Sequence, residues 1–346
     1  MGCASAPDRA AGLRQAKSHW APVAWDALPG WEHDGLDEAW LAWVAGCAKP
    51  PPAWVALCPA VRSMLLAPPA EKRDWMQKNL QPYAVNSLQG EVEGELTGYF
   101  EPAMVASRTT TDRFQVPLYR PPAGLGQRKP WYSRREMDTD PGAQAALRGK
   151  AIAYLAHPVD AMILQIQGSA RLQLQNPDGS TTAVRLSYAG SNDHPYRSAG
   201  RWLLDQGLVR DASWAGIKIW LAQNPERRQE LLWSNPRVVF FRDEVLPSSA
   251  LLLGPSGAQG VPLTAGRSIA VDPSSIPLGT PVWIASAGAH SKLERLVFAQ
   301  DAGNAIQGAV RADYFVGSGD VAGGSAGRLK QGLKLWTLWP KQSGSR

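Results

Sequence analysis

The sequence lacks long apolar runs, clusters of basic residues and the spacings of common metal sites. No stretch of about 18 apolar residues occurs in its 346 residues, so no segment of it is long enough to form a membrane-spanning helix. No run of five or six Lys or Arg occurs, which argues against a nucleic-acid partner. The five His are isolated, and neither Cys-x-x-Cys nor His-Glu-x-x-His is present. We therefore expect no zinc, no other cofactor and no nucleic acid.

What the sequence does contain is typical of a globular, turn-rich protein. Its length predicts two domains, or one large domain with an insertion. Hydrophobic residues make up 44%, enough for a sizeable core, and 33 Gly with 28 Pro favour a largely β architecture. We expect most of the 15 Trp in the core and a few along a groove. The net charge of +6 suits an anionic partner such as a cell-wall polymer or a lipid surface.

The three cysteines fall into a pair and a single residue. Cys47 and Cys58 bracket a Pro-rich loop between two helical patterns, and their spacing fits either a disulfide or two buried thiols. Cys3 lies in Met-Gly-Cys-Ala-Ser, which resembles the end of a bacterial lipoprotein signal. N-myristoylation is disfavoured because Ala6 replaces the expected Ser or Thr. We expect a lipid on Cys3 and a polar tether over residues 1–20.

Hydrophobic periodicity predicts a mostly β protein with an α-helical N-terminal part. Apolar residues recur at helical spacing over residues 34–80, and short apolar segments separated by turns follow. Strands are predicted at 96–102, 161–168, 170–175, 182–188, 238–241, 268–272, 281–285 and 296–300, and helices at 197–206, 213–223 and 226–233. A Gly-x-Ser-x-Gly match at 323–327 is interpreted as a flexible loop rather than a nucleophile elbow.

Three aspartates at or near the ends of predicted strands are the candidates for catalysis. Asp272, Asp301 and Asp313 each accompany a short apolar segment. Cleavage of a glycosidic bond needs a carboxyl group that stays protonated at the working pH, and neighbouring carboxylates with partial burial raise a carboxyl pKa. The alternatives are that these aspartates only form turns, or that together they bind Ca²⁺ or Mg²⁺.

Two polar segments are candidates for binding sugar. Gln165-Ile-Gln-Gly-Ser-Ala-Arg171 and Tyr188-Ala-Gly-Ser-Asn-Asp-His-Pro-Tyr196 combine amide, hydroxyl and aromatic side chains. Amides hydrogen-bond to sugar hydroxyl and N-acetyl groups, and tyrosine rings stack on pyranoses. The competing interpretation is an exposed β face followed by a structured turn.

At these segments the sequence resembles the membrane-bound lytic murein transglycosylase A family. The resemblance runs in family order over about residues 95–340, and the C-terminal block looks like the three-aspartate domain of that family. The matching segments are Leu96–Pro102, Gln165–Ser169, Tyr188–Asn192, Asn235–Phe241, Pro262–Asp272, Ile276–Gly279, Gln300–Gly308 and Arg311–Gly317. Family members often have Gly where this chain has Ala170, Asp193 and Asn304.

The resemblance implies a double-psi β-barrel with an inserted second β-domain and a groove between them. The barrel is expected from residues 21–108 and 245–340, and the insertion from 109–244. The implied enzyme is a lytic transglycosylase that cleaves the β-1,4 bond between N-acetylmuramic acid and N-acetylglucosamine in peptidoglycan, with a 1,6-anhydro product. The expected location is the periplasmic face of the outer membrane. Expected partners are peptidoglycan glycan strands, the membrane through Cys3, and proteins of cell-wall synthesis or division.

The resemblance also assigns roles to individual residues. Asp313 is the expected acid and then base, and Asp301 and Asp272 would tune its pKa or position the sugar. The expected substrate-binding residues are Tyr99, Gln165, Gln167, Gly168, Ser169, Tyr188 and Asn192. Two rival functions stay open at this point. One is a non-catalytic peptidoglycan-binding module, and the other is a hydrolase that uses water between two carboxylates.

Overall fold

A computed structural model of the chain describes residues 12–247, 250 and 253–341, and these residues divide into two units. Unit 1 contains the described residues up to Phe100 and those from Ser256 onward, and unit 2 is the segment Glu101–Pro255 between them. None of the helices in the described residues is both long and apolar enough to cross a membrane.

Strands dominate unit 1. Numbered in chain order, they are β1 (Leu13–Arg14), β2 (Ser18–Pro22), β3 (Leu80–Ser87), β4 (Gly94–Glu101), β11 (Ser268–Val271), β12 (Pro281–Ala287), β13 (Lys292–Asp301), β14 (Arg311–Ser318) and β15 (Lys330–Pro340). The helices are α1 (Asp37–Gly46), α2 (Cys58–Ser63), α3 (Pro69–Asn79) and α10 (Asp320–Arg328). Three helices at 37–79 confirm the helical periodicity expected there.

The described strands of unit 1 close into a barrel. They form one sheet in the order β1-β2-β3-β15-β12-β13-β11-β14-β4, and a further pairing of β15 with β4 joins its end back to its middle. Strands β15, β12, β13, β11, β14 and β4 therefore form a six-stranded ring. Within the ring β11 runs parallel to β13 and antiparallel to β14. The expected double-psi β-barrel with a helical N-terminal part is confirmed.

Two apolar clusters support the barrel. One is formed by strand residues such as Ile269, Val297 and Leu335, and the other by helices α1 and α2 against β12 and β13. The second cluster contains six buried Trp: Trp31, Trp40, Trp43, Trp54, Trp283 and Trp336. Trp20, Trp131 and Trp220 are also buried, so nine of the 15 Trp are core residues, which confirms the expectation that most of them are. A disulfide joins Cys47, after the end of α1, to Cys58 at the start of α2, which decides between the two alternatives for this pair.

Two expectations for unit 1 need correction. Residues 13–14 and 18–22 pair as β1 and β2, so the tether expected over residues 1–20 does not extend through them; Cys3 lies outside the described residues. The loop expected at 323–327 is part of α10. Its glycines allow close packing, because a Cβ on Gly323 would lie 2.8 Å from the Phe100 ring.

Unit 2 is a second β-domain. Its strands are β5 (Ala103–Ser107), β6 (Val116–Tyr119), β7 (Ala151–Leu155), β8 (Ser169–Gln175), β9 (Thr181–Ser191) and β10 (Val239–Val245), in the sheet order β10-β9-β8-β5-β7-β6. Its helices are α4 (Arg134–Thr139), α5 (Pro141–Leu147), α6 (Pro158–Gln167), α7 (Ala199–Asp205), α8 (Trp214–Gln223) and α9 (Arg228–Trp233). Residues 101–108 and the described residues of 245–255, assigned to the barrel from sequence, lie in unit 2, because β5 pairs with β8 and Val245 pairs with β9.

The strand predicted at 161–168 is wrong, because residues 161–167 belong to α6 and Gly168 directly follows it. Pro158 occupies the first turn, where its missing N–H is not needed, and the His157 ring accepts a hydrogen bond from the Val159 amide. Gly168 ends the helix with φ +75°, in the left-handed region that suits glycine. The helices predicted at 197–206, 213–223 and 226–233 are confirmed as α7, α8 and α9.

Candidate active site

Asp301 and Asp313 lie on either side of β11 in the barrel of unit 1. Ala270 of β11 is paired in register with Asp301 on one side and with Asp313 on the other. Paired residues on neighbouring strands point to the same face, so both carboxyl groups leave the barrel wall on one side. Adjacent strands are about 4.8 Å apart, which puts the two Cα atoms at roughly 10 Å across the small side chain of Ala270.

Asp313 is held by a short chain of hydrogen bonds. The Thr97 hydroxyl, from β4, donates to Oδ1 of Asp313 at 2.7 Å and accepts from Nη2 of Arg311 at 2.8 Å. Burial raises the pKa of Asp313, and this effect outweighs the Thr97 hydrogen bond, the Arg311 charge and the Tyr314 backbone hydrogen bond, which lower it. The nearby charge of Asp301 raises the pKa further.

Asp301 accepts three hydrogen bonds, and its pKa is nevertheless raised. The Tyr99 phenol donates to Oδ2 at 2.9 Å, and the amides of Ala258 and Ala302 each donate to Oδ1 at 2.9 Å. Burial raises the pKa of Asp301 above the usual value in spite of these donors. The pKa of Tyr99 is raised well above its usual value, by burial first and then by the charges of Asp301 and Asp313. The phenol therefore stays a hydrogen-bond donor.

Two coupled carboxyl groups with raised pKa values suit acid–base chemistry. A carboxyl group with a raised pKa keeps its proton to a higher pH and can donate it to a leaving oxygen, and the same group as carboxylate takes a proton back. Thr97 directs its hydrogen to Oδ1 of Asp313, so the acid proton belongs on Oδ2. Asp313 thus combines a defined donor atom with an environment that retains the proton.

Asp272 belongs to a different set of contacts. Its Oδ2 is 2.8 Å from Nζ of Lys17 and accepts from the Gly308 amide at 3.0 Å, and its Oδ1 accepts from the Ser274 amide at 3.0 Å. Burial raises its pKa most, but the three hydrogen bonds and the Lys17 charge together lower it below the usual value. The structure therefore brings together two of the three candidate aspartates and makes the third an ionised anchor between chain segments.

The candidate binding residues of unit 2 divide into exposed and structural ones. Tyr188 is 47% exposed, while Asn192 is fully buried. The Asn192 side chain donates to the carbonyls of Tyr132 and Pro236 and accepts from the Val238 amide, so it holds these segments together. Gln165 accepts a hydrogen bond from the partly buried Arg134 guanidinium.

The remaining candidates in unit 2 lie at one turn. Gln167 is the last residue of α6, Gly168 ends that helix, and Ser169 begins β8; all three are partly buried. Asp193, where the related family often has Gly, has φ +59°, a conformation that Gly adopts more easily.

The sequence analysis missed Thr97, Arg311 and Ala258 as site residues. Thr97 and Arg311 lie inside quoted motifs, but their importance depends on contact between residues 216 positions apart in the case of Thr97 and Asp313. Ala258 contributes only its backbone amide, for which a side-chain pattern holds no signal. Within the described residues no group of three or more His, Cys, Asp or Glu has the arrangement of a metal site.

Comparison with known protein families gives matches over both units. Residues 95–242 match the MltA specific insert domain, and residues 267–339 match the 3D domain. The chain is 34% identical over 287 residues to membrane-bound lytic murein transglycosylase A of Escherichia coli K12, covering 77% of this chain and 74% of that protein. It is 32% identical over 269 residues to the Vibrio cholerae protein of the same name, covering 72% and 67%.

Solved structures of similar proteins match nearly the whole chain. Lytic transglycosylase LtgG of Burkholderia pseudomallei is 42% identical with a TM-score of 0.65, covering 93% of this chain and 96% of that one. MltA from Neisseria gonorrhoeae is 29% identical with a TM-score of 0.78, covering 97% and 96%. E. coli MltA with bound chitohexaose is 26% identical with a TM-score of 0.73, covering 96% and 94%.

Proposed function

The chain belongs to the membrane-bound lytic murein transglycosylase A family, and from this premise we propose how it cleaves peptidoglycan. The proposed reaction breaks the β-1,4 bond between N-acetylmuramic acid and N-acetylglucosamine and leaves a 1,6-anhydromuramic acid end. Asp313 serves as the acid and then as the base. The observation that carries this assignment is the partly buried Asp313 carboxyl, whose Oδ1 accepts a hydrogen bond from the Thr97 hydroxyl and whose pKa is raised.

The first half of the reaction uses Asp313 as a proton donor. Oδ2 of Asp313 gives its proton to the glycosidic oxygen while the bond from that oxygen to the muramyl anomeric carbon breaks. N-acetylglucosamine leaves with the hydroxyl so formed, and positive charge develops at the anomeric carbon. The raised pKa supports this step because it keeps the proton on Asp313 at pH values where an ordinary aspartate is ionised.

The second half returns the proton to Asp313. The carboxylate takes the proton of the muramyl C6 hydroxyl, and the oxygen of that hydroxyl bonds to the anomeric carbon. Asp313 ends protonated and the product carries the internal ether, so no water is consumed. Asp301 remains hydrogen-bonded to Tyr99 and to two amides, and we assign it the role of sustaining the Asp313 pKa rather than of activating water.

The family name supports attachment to a membrane, and we propose that a lipid on Cys3 provides it. Cys3 lies outside the described residues, and the proposal rests on its Gly-Cys-Ala-Ser context in the sequence. Palmitate labelling of the protein expressed in a Gram-negative host tests this directly. Loss of the label in Cys3→Ala, with the label unchanged in a Cys47→Ala, Cys58→Ala double variant, is the expected result.

The catalytic proposal is tested by mass spectrometry of the products released from peptidoglycan sacculi. The wild type is expected to release fragments that end in 1,6-anhydromuramic acid, one water lighter than the products of hydrolysis. Asp313→Asn is the matched control and is expected to release none. Products with reducing ends would show a hydrolase instead. Sedimentation with sacculi without release of products would show the non-catalytic binding module.

A further inference from the structure

A tight turn at residues 257–260 supports Asp301 from outside the barrel strands. The Gly260 amide donates to the Gly257 carbonyl at 2.8 Å, which closes the turn. Inside it the Ala258 amide donates to Oδ1 of Asp301. The Gln259 amide donates to the carbonyl of Gln300, the residue before Asp301, at 3.0 Å. The turn therefore contacts both the carboxyl group and the backbone of the strand end that carries it.

The Gln259 side chain ties this turn to the disulfide-closed loop 47–58. Its Nε2 donates to the carbonyls of Gly46 at 3.2 Å and Lys49 at 3.1 Å, one on each side of Cys47. Cys47 is in turn bonded to Cys58, so the Lys49 carbonyl lies inside the disulfide-closed loop and the Gly46 carbonyl lies directly before it. The side chain thus connects the Asp301 support to a part of the fold with reduced backbone freedom.

The surroundings of Gln259 leave it little room to move. A Cβ on Gly279, which has φ +82°, would lie 3.1 Å from Nε2 of Gln259, and one on Gly46 would lie 3.6 Å from it. The cavity beside the disulfide, which Gln259 lines with Trp54 and Gln300, measures only about 10 Å³. That volume is about the room of one water molecule. The amide of Gln259 is therefore fixed by packing as well as by hydrogen bonds.

We propose that Gln259 is a positioning residue for the reaction, which through its ties to the 47–58 loop holds the Ala258 amide against Asp301. The inference rests on the proposed function, in which Asp301 sustains the protonated form of Asp313. Gln259 itself contacts neither aspartate side chain and acts through the turn.

Gln259→Met tests this, because methionine keeps the length of the side chain and removes its donor. Gln81→Met is the matched control, since Nε2 of Gln81 also donates to two backbone carbonyls, those of Val23 and Pro82, but on β3, outside the ring. Carboxyl ¹³C chemical shifts of labelled aspartate, followed against pH in the full-length protein, report the pKa of Asp301. The rate of release of 1,6-anhydro products reports activity.

Loss of the Ala258 hydrogen bond is expected to raise the pKa of Asp301, because that bond lowers it. Tyr99 from β4 and Asp313 from β14 also face this carboxyl, and neither is changed by the substitution. We expect kcat of Gln259→Met to fall about tenfold while KM stays within about twofold, as for a catalytic group slightly misplaced. Gln81→Met should keep the wild-type titration and kcat.

Two results would overturn the inference. One is a wild-type titration of Asp301 in Gln259→Met, and the other is an equal change in Gln81→Met, which would indicate general destabilisation. A wild type that releases no anhydro product contradicts the proposed function instead. In that case the Asp301 titration still decides whether Gln259 positions the Ala258 amide.

Discussion

Asp272 follows β11, and Asp313 lies in β14, the strand paired with β11. The pKa values of these two carboxyl groups are nevertheless shifted in opposite directions, down at Asp272 and up at Asp313. Burial raises the pKa at both positions. At Asp272 a lysine and two backbone amides more than compensate for burial, and the group is held as an anion. At Asp313 a neutral hydroxyl, the Tyr314 amide and a more distant guanidinium do not, and the group keeps its proton more strongly.

The difference shows what separates an anchoring carboxylate from an acid in the same fold. Direct contact with a cation and with N–H donors stabilises the anion, whereas a hydroxyl oriented by Arg311 fixes the geometry of Asp313 without removing its proton. The aspartates in a sequence motif do not by themselves show which carboxyl group is held as an anion and which can serve as an acid. The donors that approach each carboxylate decide its role.

Replacing the Asp313 carboxyl group by an amide should give the largest effect on activity. Asp313→Asn removes the proton donor while keeping size and polarity, and we expect the rate of anhydro product release to fall at least about 10³-fold. Stability at pH 7 should not decrease, because a carboxyl with a raised pKa disfavours the folded state above the unfolded pKa. Product release and thermal unfolding measure the two effects. Retained turnover would remove Asp313 from the catalytic role.

Replacing Asp272 by Asn should instead lower the stability of the protein and leave its activity nearly unchanged. Asp272→Asn removes the charge that Lys17 and the two amides stabilise, and we expect the free energy of unfolding at pH 7 to fall by about 1–3 kcal/mol. A lowered folded-state pKa contributes stability above the unfolded value of 3.8 and loses it as the pH falls through the folded value. Urea unfolding should therefore show the wild type and variant converging below about pH 4.

Measurements of activity distinguish a structural role of Asp272 from a catalytic one. The rate per folded molecule should stay within about twofold of the wild type, because Asp272 does not contact the Asp301 and Asp313 carboxyls. Lys17→Met is the companion variant, and its loss of stability should be smaller because Lys17 is 46% exposed. A loss of activity in Asp272→Asn as large as in Asp313→Asn would mean that the two sites are not distinct.

The smallest effect is expected at the hydroxyl that holds Asp313. Thr97→Val removes a hydrogen bond that lowers the pKa of Asp313, so the pKa rises and the alkaline limb of the pH–rate profile moves to higher pH. The rate at the optimum should fall by up to about tenfold through lost orientation of the carboxyl. Thr97→Ser retains the hydroxyl and should keep the wild-type profile. An alkaline limb that moves to lower pH in Thr97→Val would contradict the assigned hydrogen bond.

Elements with a local signal were predicted well from the sequence. The helices around Leu203, Ile217 and Leu231 have apolar residues at helical spacing and lie where they were expected. The segment 161–168 was mistaken for a strand because its alternation of apolar and polar residues outweighed its end signals. Pro158 and Gly168 mark a helix, and α6 buries consecutive residues such as Met162 and Ile163, which a half-exposed strand cannot do.

The candidate site was predictable only in part, for a different reason. Asp301 and Asp313 were found as side chains with suitable chemistry near strand ends. That they share one face, and that Asp272 does not share their contacts, depends on register and on loops that close over long separations. Asn192 illustrates the same limit, since a polar residue in a motif is equally compatible with ligand binding and with three hydrogen bonds to the backbone.

The closure of the barrel by β4 has a consequence for the order of events during synthesis. β4 precedes unit 2 in the chain, and every other strand of the ring follows it. Contacts across so long a separation form late, because the chain between them must first be made and its ends brought together. Thr97 and Asp313 therefore meet only after unit 2 and the strand β14 that follows it have left the ribosome. Chains that end before β14 hold no assembled active site, so an enzyme that degrades the cell wall becomes active only after both of its units have been made.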